Sequence, residues 1–277
     1  MKKAMLIYAV CSFGGFASAT VHGLEQLQVA NSSIVYQYTF EGANLAERLD
    51  QKKSPDSPDL AQVKDTLTSD VSFANGWDSS SQAVGTLAGS LSSGRRQTGV
   101  ALKTTNTLTM STSGTIEYMV KADAISDQGG IVSGISGSSR WYFMHNTTTN
   151  KATMTLGANT PYDLIGGTAG VAYEANHWYY VAQTWDIVGT NVTMNAWVAD
   201  MSLATPVLTQ TIVNKTAGGA GGVTNQFRLG SLMDTDYFSD ANLDAVAIYN
   251  TTLDSTTIIS HFDALRATGV LNLYFLH

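Results

Sequence analysis

The densest group of oxygen-bearing side chains lies in the stretch MDTDYFSDANLD, residues 233–244. Its candidate metal ligands are Asp234, Asp236, Asp240 and Asp244, with Asn242 between the last two. Ca²⁺ takes about six to eight oxygens from carboxylates, carbonyls and water on a bent loop. The stretch lacks the central glycine and terminal glutamate of an EF-hand. Its composition therefore fits either a structural Ca²⁺ loop or a solvated acidic turn.

Aromatic residues beside predicted turns form a second candidate site. Exposed rings can stack on the faces of sugars or against a protein partner, whereas a single ring can also belong to the core. The candidate ligand-binding residues are Trp141, Tyr142, Tyr162 and Tyr237. We assign Trp178, Trp185 and Trp197 to the interior of the fold or its rim.

The elements that must position the acidic stretch occupy residues 226–265. Residues 226–230 and 243–249 alternate polar and apolar side chains, which predicts two strands. A short helix is predicted over 253–265, with Asp254 or Ser255 as its N-cap. Its apolar stripe consists of Ile258, Ile259, Phe262 and Leu265. This unit closes a larger β structure, because a strand pair and one helix do not form a domain alone.

The rest of the chain is predicted to be almost entirely β. The first strand covers 33–40, and the strand signal resumes at 99–103 after a charged, Pro- and Ser-rich segment. That segment, at about 45–96, is expected to be an irregular insertion. Further strands are predicted at 115–121, 130–135, 141–145, 152–156, 178–185, 192–198 and 205–213. The alternating pattern favours antiparallel pairing, in an all-β fold with one short helix near the C-terminus.

Four motifs, in the right order, resemble the laminin-G-like, concanavalin A-like jelly-roll family. They are Phe40-Glu41-Gly42, then VALK with GTIEYMVKA at 100–122, HWYYVAQTWD at 177–186, and Leu229-Gly230 with LDAVAIYNTTL at 243–253. The resemblance implies a two-sheet jelly-roll sandwich. It also implies calcium ligands at Asp244 and near the first strand, at Glu41 and Asp50, although Ala245 replaces the acidic residue usual after Asp244.

Catalysis finds little support in the sequence. Laminarinase-type hydrolases of the same superfamily carry E-x-D-x-x-E on one strand, so that two carboxylates face the substrate. Here Glu117 is followed by Met119, and no other glutamate has that spacing. The chain has no G-x-S-x-G elbow and no paired histidine motif. A divergent hydrolase or lyase would instead need Glu117 exposed in a groove beside a second acid.

The N-terminus predicts export. Basic Lys2 and Lys3, an apolar run over 4–16 and Ala17-Ser18-Ala19 form the three regions of a cleaved signal peptide at 1–19. The one cysteine, Cys11, lies within it, so the mature chain has no disulfide. A net charge of −7 indicates neither nucleic acid nor anionic lipid as a partner.

We therefore predict a single secreted or cell-surface domain over 20–277 that is not an enzyme. It is expected to bind a glycan or an extracellular protein ligand, with Ca²⁺ as a structural ion and without membrane insertion of the mature chain. Two alternatives remain open at this point. One is a structural or adhesive protein that self-associates, and the other is the divergent glycoside hydrolase or polysaccharide lyase.

Overall fold

The computed structural model describes residues 23–41, 44, 49, 60–65, 70–77, 82–88, 91–92, 95–96, 99–110, 112–122, 129–136, 139–146, 151–157, 161–163, 173–189, 191–216, 223–231 and 238–274. The predicted signal peptide and Asp50, Asp234, Asp236 and Tyr237 lie outside these residues.

The described residues form short strands and a helix near each end. The helices are α1 (Gly23–Ala30) and α2 (Ser255–Tyr274). The strands are β1 (Ile34–Tyr38), β2 (Leu60–Asp65), β3 (Ser72–Asn75), β4 (Gln82–Ala88), β5 (Leu91–Ser92), β6 (Arg95–Arg96), β7 (Gly99–Thr104), β8 (Leu108–Met110), β9 (Ser113–Ala122), β10 (Gly129–Ser136), β11 (Ser139–Asn146), β12 (Lys151–Gly157), β13 (Pro161–Asp163), β14 (Trp178–Val188), β15 (Asn191–Asp200), β16 (Thr209–Thr216), β17 (Val223–Asn225), β18 (Phe227–Leu229) and β19 (Ala241–Tyr249).

Two antiparallel sheets account for most of these strands. Sheet A has the order β4-β19-β9-β14-β15-β16, with β1 also paired to β19 and β3 to β4. Sheet B has the order β13-β12-β11-β10-β18-β7, with β2 also paired to β7. β4 belongs to both, because Val84 to Thr86 pair with β19 and Leu87 and Ala88 with β7. The predicted antiparallel two-sheet jelly-roll sandwich is confirmed.

The main core lies between the sheets. Alternation turns Tyr118 and Val181 of sheet A inward, where they share one cluster with Val100, Phe227 and Leu229 of sheet B. Trp185 is buried in the same cluster, as expected for an interior tryptophan.

A second apolar layer covers the opposite face of sheet A. Ile258, Phe262 and Leu265 of α2 cluster with Tyr180 and Trp197 of the sheet, and Trp178 and α1 residue Leu24 belong to the same cluster. Because both faces of sheet A are covered, residues 178–185 of β14 are all buried instead of alternating between buried and exposed.

Helix α2 begins where the sequence predicts but continues further. The Asp254 carboxylate accepts a hydrogen bond from the Thr257 N–H at 2.7 Å, which confirms Asp254 as the N-cap. The helix then runs to Tyr274, past the predicted end at Leu265. None of the helices described has the length and apolarity needed to cross a membrane.

The segment 45–96, predicted to be irregular, carries β2 to β6 in its described part. These strands are short. β3 pairs with the next strand, β4, whereas β2 pairs with β7 and β4 also pairs with β7 and β19. Local alternation is weak there because glycine, serine and charged residues interrupt each strand. Pairing with partners far along the chain, which a local pattern does not register, holds the strands in place.

Candidate functional site

The aromatic candidates lie within the strands of sheet B. Trp141 and Tyr142 are consecutive residues of β11, and Tyr162 is the middle residue of the edge strand β13. Directly paired residues on antiparallel strands occupy the same face. Trp141 pairs with Gly134, and Gly134 pairs with the core residue Phe227.

Register then separates the two consecutive aromatics. Tyr162 pairs with Met154 and Met154 with Phe143, so Tyr162 occupies the same face as Trp141. Tyr142 pairs with Ser133, and Ser133 with Arg228, which places Tyr142 on the opposite face. The register therefore puts Trp141 and Tyr162 on the face of sheet B that carries the core residue Phe227, and Tyr142 on the other face.

Two of the predicted calcium ligands are placed at the start of β19. Asp244 is fully buried, and its Oδ2 accepts a hydrogen bond from the backbone N–H of Trp77 at 3.1 Å. Asp240 is partly exposed in the preceding loop, where the Thr86 hydroxyl donates to the carbonyls of Ser239 and Ala241 at 2.8 and 3.2 Å. Thr86 therefore holds the backbone on both sides of Asp240.

The remaining predicted ligands do not complete a metal site within the described residues. Glu41 follows Phe40 and is partly exposed, while Asp50, Asp234 and Asp236 lie outside the described residues. Among the residues that the structure does describe, no three His, Cys, Asp or Glu side chains are grouped so as to hold a metal ion. The calcium site stays a prediction.

A buried carboxylate cluster lies beneath α2, where the sequence predicted no site. We define the Glu117 cluster as Glu117 of β9, Tyr180 of β14, Tyr249 of β19 and His261 of α2. The tyrosine hydroxyls donate to Oε1 and Oε2 of Glu117 respectively, each at 2.6 Å. His261 Nδ1 lies 2.9 Å from both carboxylate oxygens, within hydrogen-bond distance of each.

This arrangement joins four elements rather than exposing a reactive group. Glu117 is 0% and His261 3% exposed. Burial, and next the nearby Glu117 charge, raise the pKa of both tyrosines, so their hydroxyls stay protonated as donors. Glu117 is therefore not the exposed carboxylate in a groove that the hydrolase alternative requires. The cluster instead connects α2 by hydrogen bonds to β9, β14 and β19, three neighbouring strands of sheet A.

The sequence did contain a signal for this cluster. Glu117 lies within the predicted strand 115–121, and His261 stands beside Phe262 of the apolar stripe of the helix. Ionisable residues are rarely fully buried unless they are paired. Their positions are compatible with a buried pair, but the burial and the pairing become evident only in the fold.

A second polar cluster lies where β14 begins and β15 ends. His177 Nδ1 lies 2.7 Å from Asp200 Oδ2, and the other oxygen of Asp200 accepts from the Ser202 N–H at 2.9 Å. The Ser202 hydroxyl accepts from the Trp178 N–H at 2.8 Å. The hydrogen bond to Asp200 raises the pKa of His177, which favours the imidazolium. These hydrogen bonds connect the start of β14 to the end of β15 and the turn that follows it.

Comparisons with solved structures identify the fold. Domain 4 of AbnA, a GH43 extracellular arabinanase from Geobacillus stearothermophilus, in complex with arabinotriose, matches with a TM-score of 0.55 at 12% identity, over 83% of this chain and 98% of that domain. The botulinum neurotoxin type G receptor binding domain matches with a TM-score of 0.53 at 12% identity, over 84% of this chain and 51% of that one.

A structure of botulinum neurotoxin type C, whose cell entry depends on interaction with two ganglioside molecules, matches with a TM-score of 0.55 at 11% identity, over 85% of this chain and 52% of that one. The chain thus spans about half the length of the toxin structures. No protein-family model and no curated protein matches it. At these identities the likeness concerns architecture alone: the chain has the β-sandwich fold found in the arabinanase domain and in the toxin domains.

Proposed function

We propose that this chain is a secreted, non-catalytic glycan-binding module with a laminin-G-like sandwich. The observation that carries the proposal is the likeness to domain 4 of the arabinanase, which extends over 98% of a domain whose structure contains arabinotriose. The toxin domains with the same fold include one from a toxin that interacts with gangliosides. The burial of Glu117 also favours binding over hydrolysis, because a hydrolase needs carboxylates that reach the substrate.

The strand register of sheet B determines which of the candidate aromatic residues can contact one sugar together. Trp141 and Tyr162 share the face of sheet B that carries Phe227 on β18, but β13 is the last strand of that sheet and β10, β11 and β12 lie between it and β18. The proposal requires this face to be open to the ligand at β11 and β13. Aromatic rings near a sheet edge can stack on a sugar, while the sheet keeps them at a fixed spacing. Trp141 and Tyr162 form the proposed platform, and Tyr142 belongs to the other face.

We expect the purified chain to bind on a glycan array that includes arabino-oligosaccharides and sialylated glycans. Trp141→Ala should weaken the affinity by about tenfold or more, since central aromatic contacts are each worth over about 1 kcal/mol. Isothermal titration with the best array ligand provides the measurement. Tyr162→Ala should show a loss of the same order.

Tyr142→Ala is the matched control, because it removes a neighbouring aromatic from the opposite face. Its affinity should stay within about twofold of the parent. Circular dichroism of each variant separates loss of binding from loss of fold. A blank array with the folded parent chain contradicts glycan binding, while equal losses in Trp141→Ala and Tyr142→Ala contradict the platform.

A structural Ca²⁺ ion near Asp240 and Asp244 is part of the proposal. A metal that binds only the folded chain raises the melting temperature, and the rise grows with the logarithm of the metal concentration relative to its Kd. We therefore expect EDTA to lower the melting temperature by several degrees and added Ca²⁺ to restore it. Asp240→Asn should abolish the difference, whereas exposed Asp263→Asn on α2 should not. Identical melting curves with Ca²⁺ and with EDTA would rule the ion out.

A further inference from the structure

Among the strands that the structure describes, the last strand of sheet A, β16, is an edge strand. In the strand order of the described residues, β16 is terminal and pairs with β15 alone, from Asn191↔Thr216 to Val198↔Thr209. An edge strand presents a row of backbone N–H and C=O groups on its outer side. A strand of 8 residues is long enough to pair with a second strand of ordinary length.

This edge also carries much of the exposed apolar surface. Among the described residues, exposed large hydrophobic side chains occur at Leu203, Val207 and Ile212, on β16 or the loop that precedes it. The others are Val188 at the end of β14, and Leu27, Val29 and Ile259 on the two helices. Val207 is 65% and Ile212 57% exposed. Leu203, Val207 and Ile212 therefore follow the edge from the loop before β16 to the middle of the strand.

The usual protection of an edge is weak here. Natural sheets guard their edges with charges, prolines within the strand or a covering segment. Residues 201–214 contain no charged side chain, Pro206 precedes the strand, and Lys215 lies next to its end. In a chain with 15 basic and 22 acidic residues, such an uncharged stretch at an open edge indicates a surface that another strand covers.

We propose that β16 pairs antiparallel with β16 of a second copy of this chain, which joins two copies of sheet A across a twofold axis. The strand is suited to pairing with itself. A register centred on Ile212 sets Thr211 against Val213, Gln210 against Asn214 and Thr209 against Lys215, so that no two like charges are opposed.

The charge of the chain favours this surface for contact between copies. Each copy has a net charge of −7, so two copies repel each other unless they meet where charge is absent. The stretch 201–214 meets that condition, and its apolar side chains add burial to the backbone pairing. The dimer surface lies on sheet A, whereas the proposed glycan platform lies on sheet B, so binding and dimerisation are separate properties.

Sedimentation velocity of the purified full chain over a wide range of concentration tests the proposal. We expect a monomer–dimer equilibrium. Ile212→Lys should weaken the dimer by about tenfold or more, because it sets two like charges on the axis. Ile259→Lys makes the same change at an apolar residue of α2 that is 47% exposed, and should leave the dimer intact.

A cross-link tests the register independently of any destabilising change. In a Cys11→Ser background, Ile212→Cys should form a disulfide-linked dimer under mild oxidation, and Ile259→Cys should not. A chain that is monomeric at every concentration overturns the proposal. So does a dimer that Ile212→Lys leaves unchanged, or one that captures Ile259→Cys as readily as Ile212→Cys.

Discussion

Replacing Glu117 with alanine is expected to lower the free energy of unfolding by about 3 to 5 kcal/mol, the order of cost when one partner of a buried, hydrogen-bonded carboxylate–imidazole pair is removed. The change leaves His261 and the hydroxyls of Tyr180 and Tyr249 without their common acceptor, in a layer where all three are at most 3% exposed. Urea denaturation followed by circular dichroism measures the loss.

Two further variants make the result specific. Glu117→Gln keeps the volume and one oxygen acceptor, so its cost should be intermediate between the parent and the alanine variant. Asp263→Ala on α2 removes a carboxylate from the exposed pair with Arg266, and should change stability by less than about 1 kcal/mol. If Glu117→Ala were as stable as Asp263→Ala, the cluster would not be what holds α2 to the sheet.

Replacing Gly230 with alanine should also be strongly destabilising, by about 2 to 5 kcal/mol. Gly230 has φ +83°, a conformation that residues with a Cβ rarely adopt, and a Cβ built there overlaps the side chain of Thr86. Thr86 cannot easily move aside, because its hydroxyl donates to the carbonyls of Ser239 and Ala241. The midpoint of urea unfolding reports the change.

Gly189→Ala separates the cost of the backbone conformation from the cost of the overlap with Thr86. Gly189 has φ +61°, but no heavy atom lies within 4 Å of a Cβ built there, so only the backbone conformation is penalised. That variant should cost about 1 to 2 kcal/mol. Equal losses at both positions would mean that the contact with Thr86 contributes nothing. A larger loss at Gly230 would give a physical reason for glycine after Leu229, one of the features that resembles the jelly-roll family.

The predictions from sequence succeeded where the pattern is local. Alternating side chains predicted strands that overlap β1, β9, β14, β15 and β19, because the face of a residue follows from its position in the strand. The N-cap at Asp254 was predictable for the same reason, since its acceptor and the Thr257 donor are three residues apart. For the strands of 45–96 the interrupted pattern was insufficient.

The candidate sites depended more on distant residues. Strand alternation already separates Trp141 from Tyr142, but only the register through β10 and β18 shows that Trp141 is on the face of the core residue Phe227. The Glu117 cluster joins residues separated by 63, 132 and 144 positions, a spacing to which no motif corresponds.

The sequence alone determined the β class, the antiparallel pairing and the start of the terminal helix, since each depends on a side-chain pattern within one element. The tertiary structure decided that β4 joins both sheets, that α2 covers one face of sheet A and that Glu117 is buried there with His261. The physical reason is that burial and hydrogen-bond partners are set by surfaces brought together from distant parts of the chain, and these surfaces exist only once the sheets have formed.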